Sequence, residues 1–179
     1  MSIEPHGPLT ASCQCGAVLL EVVGAPILRA ACYCKSCQEA GRQIEQSPDA
    51  PPVLDADRAT DFILYRKDRV RCVQGGDRLQ AHRLKLESPT RRMVAGCCNT
   101  AMFLDFAKGH WLSIYRGRLP QSVAPLEMRV MTAERPDGFA LPQDIPNYAA
   151  HSGKFMWKLL GAWVRMGFRT PKVEGVPAG

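Results

Sequence analysis

Three thiols packed into six residues, Cys32, Cys34 and Cys37, constrain this chain more than anything else in it. A disulfide framework does not use that spacing. Cys13 and Cys15 precede the trio and Cys97 and Cys98 follow it, so seven of the eight cysteines lie in three tight clusters and only Cys72 stands alone. The segment Met1 to Pro8 has neither a basic n-region nor an apolar h-region, which argues against a signal peptide and for the cytosol. In a reducing compartment, clustered cysteines are metal ligands or catalytic thiols rather than disulfides.

On an extended strand, residues i and i+2 face the same side, so Cys13 with Cys15, and Cys32 with Cys34, can each grip one ion, while Cys37 loops back as a further ligand. Thiolate softness and a tetrahedral preference make zinc the leading candidate and iron a weaker one, with two ions accommodated. Cys72, within Val70-Arg71-Cys72-Val73, reads as core packing.

Length and charge restrict the alternatives. At 179 residues the chain suits one domain, or a domain with an appendage, and 46% hydrophobic with 22% charged residues is ordinary for a soluble protein. The formal charge of +6 suggests an acidic partner at first sight. Seven thiolates holding two zinc ions would bring it to about +3, because ligation requires the deprotonated thiol. Basic residues are also scattered, with small groups at Arg66-Lys67-Asp68-Arg69 and Arg91-Arg92, so no nucleic-acid partner is expected.

Pattern and turn residues predict a mainly β, predominantly antiparallel fold. The β-branched run from Ala17 to Val23, bracketed by Gly16 and Gly24, reads as a strand. A short helix opening at Gln38-Glu39-Ala40 is expected to stop near Gly41, and Ser47 to Pro52 reads as an exposed loop. Strands are expected at Asp61 to Tyr65, Arg69 to Val73 and Leu79 to Leu86, joined by hairpin turns at Lys67-Asp68 and Gly75-Gly76-Asp77. Met93 to Ala95, Met102 to Phe106 and Trp111 to Tyr115 continue the pattern, with Cys97-Cys98 in a connection. The organisation expected is a zinc-binding β domain over 1–130, with a proline-containing extension and a helix over 131–179 packed on the same domain.

That last helix begins at Ser152 as N-cap and runs from Lys154 to about Arg169. Lys154, Lys158, Arg165 and Arg169 form one narrow stripe, with apolar residues over the rest. The charges interrupt it well short of the roughly 20 apolar residues a membrane span requires. It either packs on the open face of the sheet or across a homodimer axis, which is the preferred reading, or meets a membrane surface or partner groove.

The arrangement resembles the family of glutathione-dependent formaldehyde-activating enzymes. The resemblance rests on Cys13-Gln14-Cys15-Gly16-Ala17-Val18, on Cys32-Tyr33-Cys34-Lys35-Ser36-Cys37, and on Cys98-Asn99-Thr100 in place of that family's Cys-Gly-Thr or Cys-Gly-Ser. It covers residues 10 to 118. It implies a twisted β architecture akin to that of a Rab-associated zinc chaperone and of zinc-bearing methionine sulfoxide reductases. It also implies a structural zinc on the first Cys-x-Cys and a late Cys-x-x-Cys, and a second zinc, linked to activity, on the central trio. The implied reaction joins formaldehyde to glutathione as S-hydroxymethylglutathione, a carbon–sulfur lyase reaction in reverse.

One departure bears on function. Where the family has a cysteine three residues before Cys98 this chain has Ala95, and Cys97 sits beside Cys98 instead. Either a turn at Gly96 lets Cys97 and Cys98 both join Cys13 and Cys15, or Cys98 alone joins them and Cys97 closes the central site. A closed four-thiolate zinc is structural, whereas a three-thiolate zinc keeps a position for water or a substrate thiol. The first outcome leaves a site for a small thiol such as glutathione, with His82 or His110 as candidate proton carriers. The second gives a non-catalytic, zinc-stabilised binding module. No catalytic side chain is assigned by pattern.

Overall fold

The computed structural model describes residues 7–120 and 123–177, and the N-terminal reading of Met1 to His6 lies outside them. Chain order runs β1 (Leu9–Ser12), β2 (Leu19–Val22), β3 (Leu28–Cys32), α1 (Lys35–Glu45), β4 (Thr60–Arg66), β5 (Val70–Gln74), β6 (Leu79–His82) and β7 (Thr90–Ala95). It continues with β8 (Thr100–Phe106), β9 (Trp111–Tyr115), β10 (Met128–Val130) and α2 (Gly153–Arg165). A three-stranded sheet has the order β1-β2-β5, and a seven-stranded sheet the order β10-β3-β4-β9-β8-β7-β6. Pairing is antiparallel throughout except for β10, which lies parallel to β3. The mainly β expectation holds.

β4 explains the layering. Its residues Phe62 to Tyr65 are buried without interruption, as a strand covered on both faces must be. Ile63 and Tyr65 join Ala11, Leu20, Val22 and Val70 of the small sheet in one core. Phe62 and Leu64 join Ile44 of α1 and Phe155 and Leu159 of α2 in another. The large sheet is therefore sandwiched between the small sheet and the helices.

Both expected hairpins are corners between sheets. β4 belongs to the large sheet, β5 pairs with β2 in the small one, and β6 returns to the large sheet beside β7. Local turn chemistry at Lys67-Asp68 and Gly75-Asp77 suits either outcome; burial of Lys67 in an ion pair with Asp105 fixes the first corner. At the second, Gly75 has φ of 69°, and a Cβ there would come within 2.2 Å of the Ala17 carbonyl oxygen. Glycine is what lets this corner press against the first cysteine loop. β6 also ends at His82, leaving Leu86 87% exposed rather than in a strand.

The first helix is longer than the sequence suggests. α1 begins at Lys35 and passes through Gly41, whose missing side chain admits Leu54; a Cβ there would lie 2.5 Å from a Leu54 methyl carbon. Gly41 is a packing residue, not a stop. α2 starts as expected, with the Ser152 hydroxyl accepting from the Phe155 amide at 3.1 Å.

Candidate metal centres

Cys13 and Cys15 lie in the turn between β1 and β2, not on a strand as their spacing suggested. Gly16, at φ of 75°, and the bond from the Gly16 amide to the Cys13 carbonyl curl this turn back on itself. Cys97 and Cys98 lie in the tight connection between β7 and β8, where the Cys98 amide bonds the Ala95 carbonyl and Asn99 adopts a left-handed φ of 51°. Because the backbone turns here, adjacent residues face the same point. The sulfurs of Cys13, Cys15, Cys97 and Cys98 all fall within 4.8 Å of one another. Cys97 thus stands with the first pair and not with the central trio.

The separations test a tetrahedral ion directly. Zn–S bonds of about 2.3 Å place ligand sulfurs about 3.8 Å apart at the tetrahedral angle. Here Cys13 and Cys15 are 3.6 Å apart, Cys13 and Cys97 3.9 Å, Cys15 and Cys97 3.4 Å, and Cys97 and Cys98 3.8 Å. The Val18 amide points at the Cys13 sulfur at 3.3 Å. Burial would raise the Cys98 thiol, but the Thr100 hydroxyl 3.0 Å away and the neighbouring cysteines pull it down to about 6. Such donors favour thiolate over thiol.

The central trio is built differently. Cys32 ends β3, Cys34 is the N-cap of α1, and Cys37 sits in the first turn of that helix. The Cys34 sulfur accepts from the Cys37 amide at 3.4 Å, and the Glu134 carboxylate accepts from the Lys35 amide at 2.6 Å, so a sulfur and a carboxylate share the positive end of the helix. All three sulfur atoms lie within 4.8 Å. A hydrogen bond from Cys32 draws Cys34 down to about 2, while Cys32, bonded to Cys34, is pushed far up. Cys37, favoured by Cys32 but opposed by Cys34 and burial, is raised to about 12. Three thiolates this close together repel one another, so holding all three deprotonated requires a cation.

Two arginines supply a second test of fit. Arg92, on β7, is 2% exposed, donates to the Ser36 carbonyl at 3.0 Å, and leaves its buried Nε without a hydrogen-bond partner. Its charge acts on Cys37. Arg118 also has a buried Nε without a partner, and burial lowers its pKa while Cys98 and Cys13 raise it. Neither forms an ion pair with a carboxylate among the described residues. A buried guanidinium without a counterion is costly, and a metal–thiolate cluster is an anion. Each cluster thus has its own countercharge, and both donor sets fit a divalent metal. Arg92 and Arg118 were not legible in the sequence; only a basic residue at a core-facing strand position would have marked the first.

The histidines part company. His110 is 6% exposed, bonds the Leu159 carbonyl through Nε2 at 2.8 Å and stacks on Trp163, so it pins α2 to the sheet. His82 lies across from Arg92 in the β6–β7 register, has a buried Nε2 without a partner, and is lowered by burial and by that arginine. Cys72 bonds the Gln74 carbonyl and lies apart from both clusters.

Residues 8–46 match the family of glutathione-dependent formaldehyde-activating enzymes. The matched segment contains the first cysteine pair and the whole central trio and ends with α1, before Cys97 and Cys98. The resemblance read from the cysteine motifs is therefore met independently over that segment. A crystal structure of a Rhodobacter sphaeroides protein is similar at a TM-score of 0.45 and 14% identity, over 77% of this chain and 98% of its own. No curated protein matches the chain.

Proposed function

We propose that this is a two-zinc protein of the formaldehyde-activating type, in which the four-thiol centre holds the fold and the three-thiol centre receives a small thiol such as glutathione. The observation that carries this reading is the grouping of Cys97 with Cys13, Cys15 and Cys98, which leaves Cys32, Cys34 and Cys37 without a fourth thiol. Cys32, Cys34 and Cys37 would hold the zinc, which when bound would supply a Lewis acid favouring the deprotonated form of an incoming thiol at neutral pH. The thiolate then adds to the aldehyde carbon: one carbon–sulfur bond forms, the carbonyl π bond opens, and the proton given up by the thiol ends on the carbinol oxygen. In reverse, the adduct splits, which is the lyase sense.

The chain's own residues contribute around that step. Cys32, Cys34 and Cys37 orient the site, and Arg92 balances its negative charge from beneath. A cleft of about 250 Å³ is lined by Arg29, Asp55, Asp61, Tyr115, Arg116 and Arg118. No cysteine forms part of its wall, but two of its lining residues sense the centres electrostatically, Tyr115 feeling Cys37 and Arg118 feeling Cys98. Asp55 reaches solvent on one side, yet burial of its carboxyl and the nearby Asp61 push it up to about 6. Arg29 and Asp61 are paired with each other at 2.6 Å, and the Asp55 carboxyl and Arg118 guanidinium of the same cleft suit a ligand carrying both ammonium and carboxylate groups, as a peptide thiol does.

Residues 1–130 are read as the zinc-binding β domain, with 131–179 packed on it, supported by Phe155 and Leu159 lying in one core with Leu28 and Phe62. Free thiols fit a reducing, cytoplasmic setting. The test is exchange NMR of formaldehyde with glutathione, with and without the zinc-loaded protein. Acceleration that disappears in Cys37→Ser is the expected result. An unchanged exchange rate defeats the glutathione assignment and favours the non-catalytic module.

A further inference from the structure

α2 buries only one of its three faces. Phe155, Leu159, Ala162 and Met166, spaced four, three and four apart, face the sheet and are at most 8% exposed. At about 100° per residue, Met156, Leu160, Val164 and Trp157 fan out over the next flank. They are not covered: Trp157 is 72% exposed, Met156 54%, Val164 51% and Leu160 40%, and Phe168 in the following turn is 58% exposed. Half-buried Trp163 and buried His110 line an apolar groove of about 450 Å³ along this flank, with Lys108 at its edge. On the other side of Trp157 a broader groove is lined by Arg66, Arg69, Lys154, Lys158 and Arg165. Isolated apolar residues on a surface are ordinary, but five large ones in one patch, two of them aromatic, mark a contact surface.

Charge decides what the contact is with. From Ser152 to Val173 there is no aspartate or glutamate, while Lys154, Lys158, Arg165, Arg169 and Lys172 are all basic. Only Lys158 is paired, with Glu127; Lys154 and Arg165 make no ion pair among the described residues. A second copy seated on this face would bring like charges together. A surface that is apolar a few ångströms down and anionic at its rim complements every feature of it. Trp157 stands at the crest, apolar side chains lie to one side of it and bases to the other. No helix among the described residues is long and apolar enough to cross a membrane, which fits lying on a surface rather than spanning it.

We propose that α2 and the turn after it form a docking surface for an anionic lipid bilayer, independent of the chemistry at the thiol clusters. The full-length, zinc-loaded protein is to be sedimented with vesicles of phosphatidylcholine alone and of phosphatidylcholine with phosphatidylglycerol. Two surface variants accompany it, Trp157→Glu with Leu160→Glu, and Lys154→Glu with Arg165→Glu. All four positions are solvent-exposed, and zinc content and circular dichroism verify the fold. The expected result is binding to the anionic vesicles only, weakened by salt, with a blue-shifted tryptophan emission, and reduced roughly tenfold by either variant. Binding unaffected by Trp157→Glu with Leu160→Glu overturns the proposal. So does the absence of binding by the wild type. Light scattering without lipid supplies the remaining outcome, since a dimer dissolved by Trp157→Glu assigns the face to a second copy and also overturns it.

Discussion

The two thiol clusters differ in what holds their sulfurs. Cys13, Cys15, Cys97 and Cys98 come from two loops more than 80 residues apart in sequence, and Cys13 and Cys98 pack against the core between the sheets. Cys32, Cys34 and Cys37 come from one strand end and the helix it feeds, and pack against the core beneath the helices. The first cluster therefore closes a long loop and joins β1–β2 to β7–β8; the second is local and needs no ion to bring its residues together. Under the proposed function, metal at the first would supply folding energy and metal at the second chemistry.

The sharpest way to break that contrast is to remove one ligand from each. Cys13→Ala is expected to lose one zinc equivalent and several kcal/mol of unfolding free energy, or to prevent folding altogether. Cys37→Ser is expected to lose the other equivalent at a cost of about 2 kcal/mol or less, since β3 and α1 remain tied to the sheet. Atomic absorption with urea denaturation at fixed zinc measures both. Equal losses would mean that the clusters share one structural role.

Access supplies the next difference. With cobalt in place of zinc, added glutathione should shift the visible bands of the three-thiol centre and leave the Cys32→Ser variant, which retains only the four-thiol centre, unchanged. Release to a chelator should be at least roughly tenfold faster from the trio, because a vacant fourth position admits the competitor. A single slow phase for both ions would argue for two closed sites.

A smaller effect is expected from the arginines. Arg92→Met should weaken metal binding at the trio by about 10- to 100-fold, as loss of an outer partner commonly does, and leave the other centre intact. Arg118→Met should do the reverse. Competition titration with a metal indicator reads the two affinities, and crossed or equal effects would show that the guanidiniums do not serve one cluster each.

How far the sequence revealed these centres follows from the same contrast. The central trio was legible because its ligands are neighbours, but of the helix only a short opening at Gln38-Glu39-Ala40 was read, whereas α1 runs from Lys35 to Glu45 with Cys37, Ala40, Gly41 and Ile44 on its buried face. Gly41 looked like a terminator, since nothing local announces that Leu54 will fill its space. The strands were legible as apolar runs, but their sheet was not: Lys67-Asp68 and Gly75-Asp77 carry hairpin chemistry while turning the chain between layers. β10, with only Met128, Arg129 and Val130, is too short to show a period and gains its place by pairing parallel to β3. Cys97 remained ambiguous for a sharper reason. Alternation on an extended chain sends neighbours apart, and only the turn conformation reverses that.

That turn offers the finest test, at Asn99. Its φ of 51° is a region that asparagine and glycine tolerate and branched side chains do not, which accounts for asparagine standing where the resembling family has glycine. Its side-chain amide also donates to the Pro48 carbonyl at 2.9 Å, tying the cysteine turn to the loop after α1 and so linking the two centres. Asn99→Val should cost about 1–2 kcal/mol and loosen metal at the four-thiol centre, because strain would open the turn that aims Cys97 and Cys98 together. Asn99→Gly keeps the turn and loses one partly exposed hydrogen bond, so its cost should stay near 0.5–1 kcal/mol with metal content unchanged. If the glycine variant lost metal as readily as the valine one, the tie to Pro48 rather than the backbone conformation would be what gathers the four sulfurs.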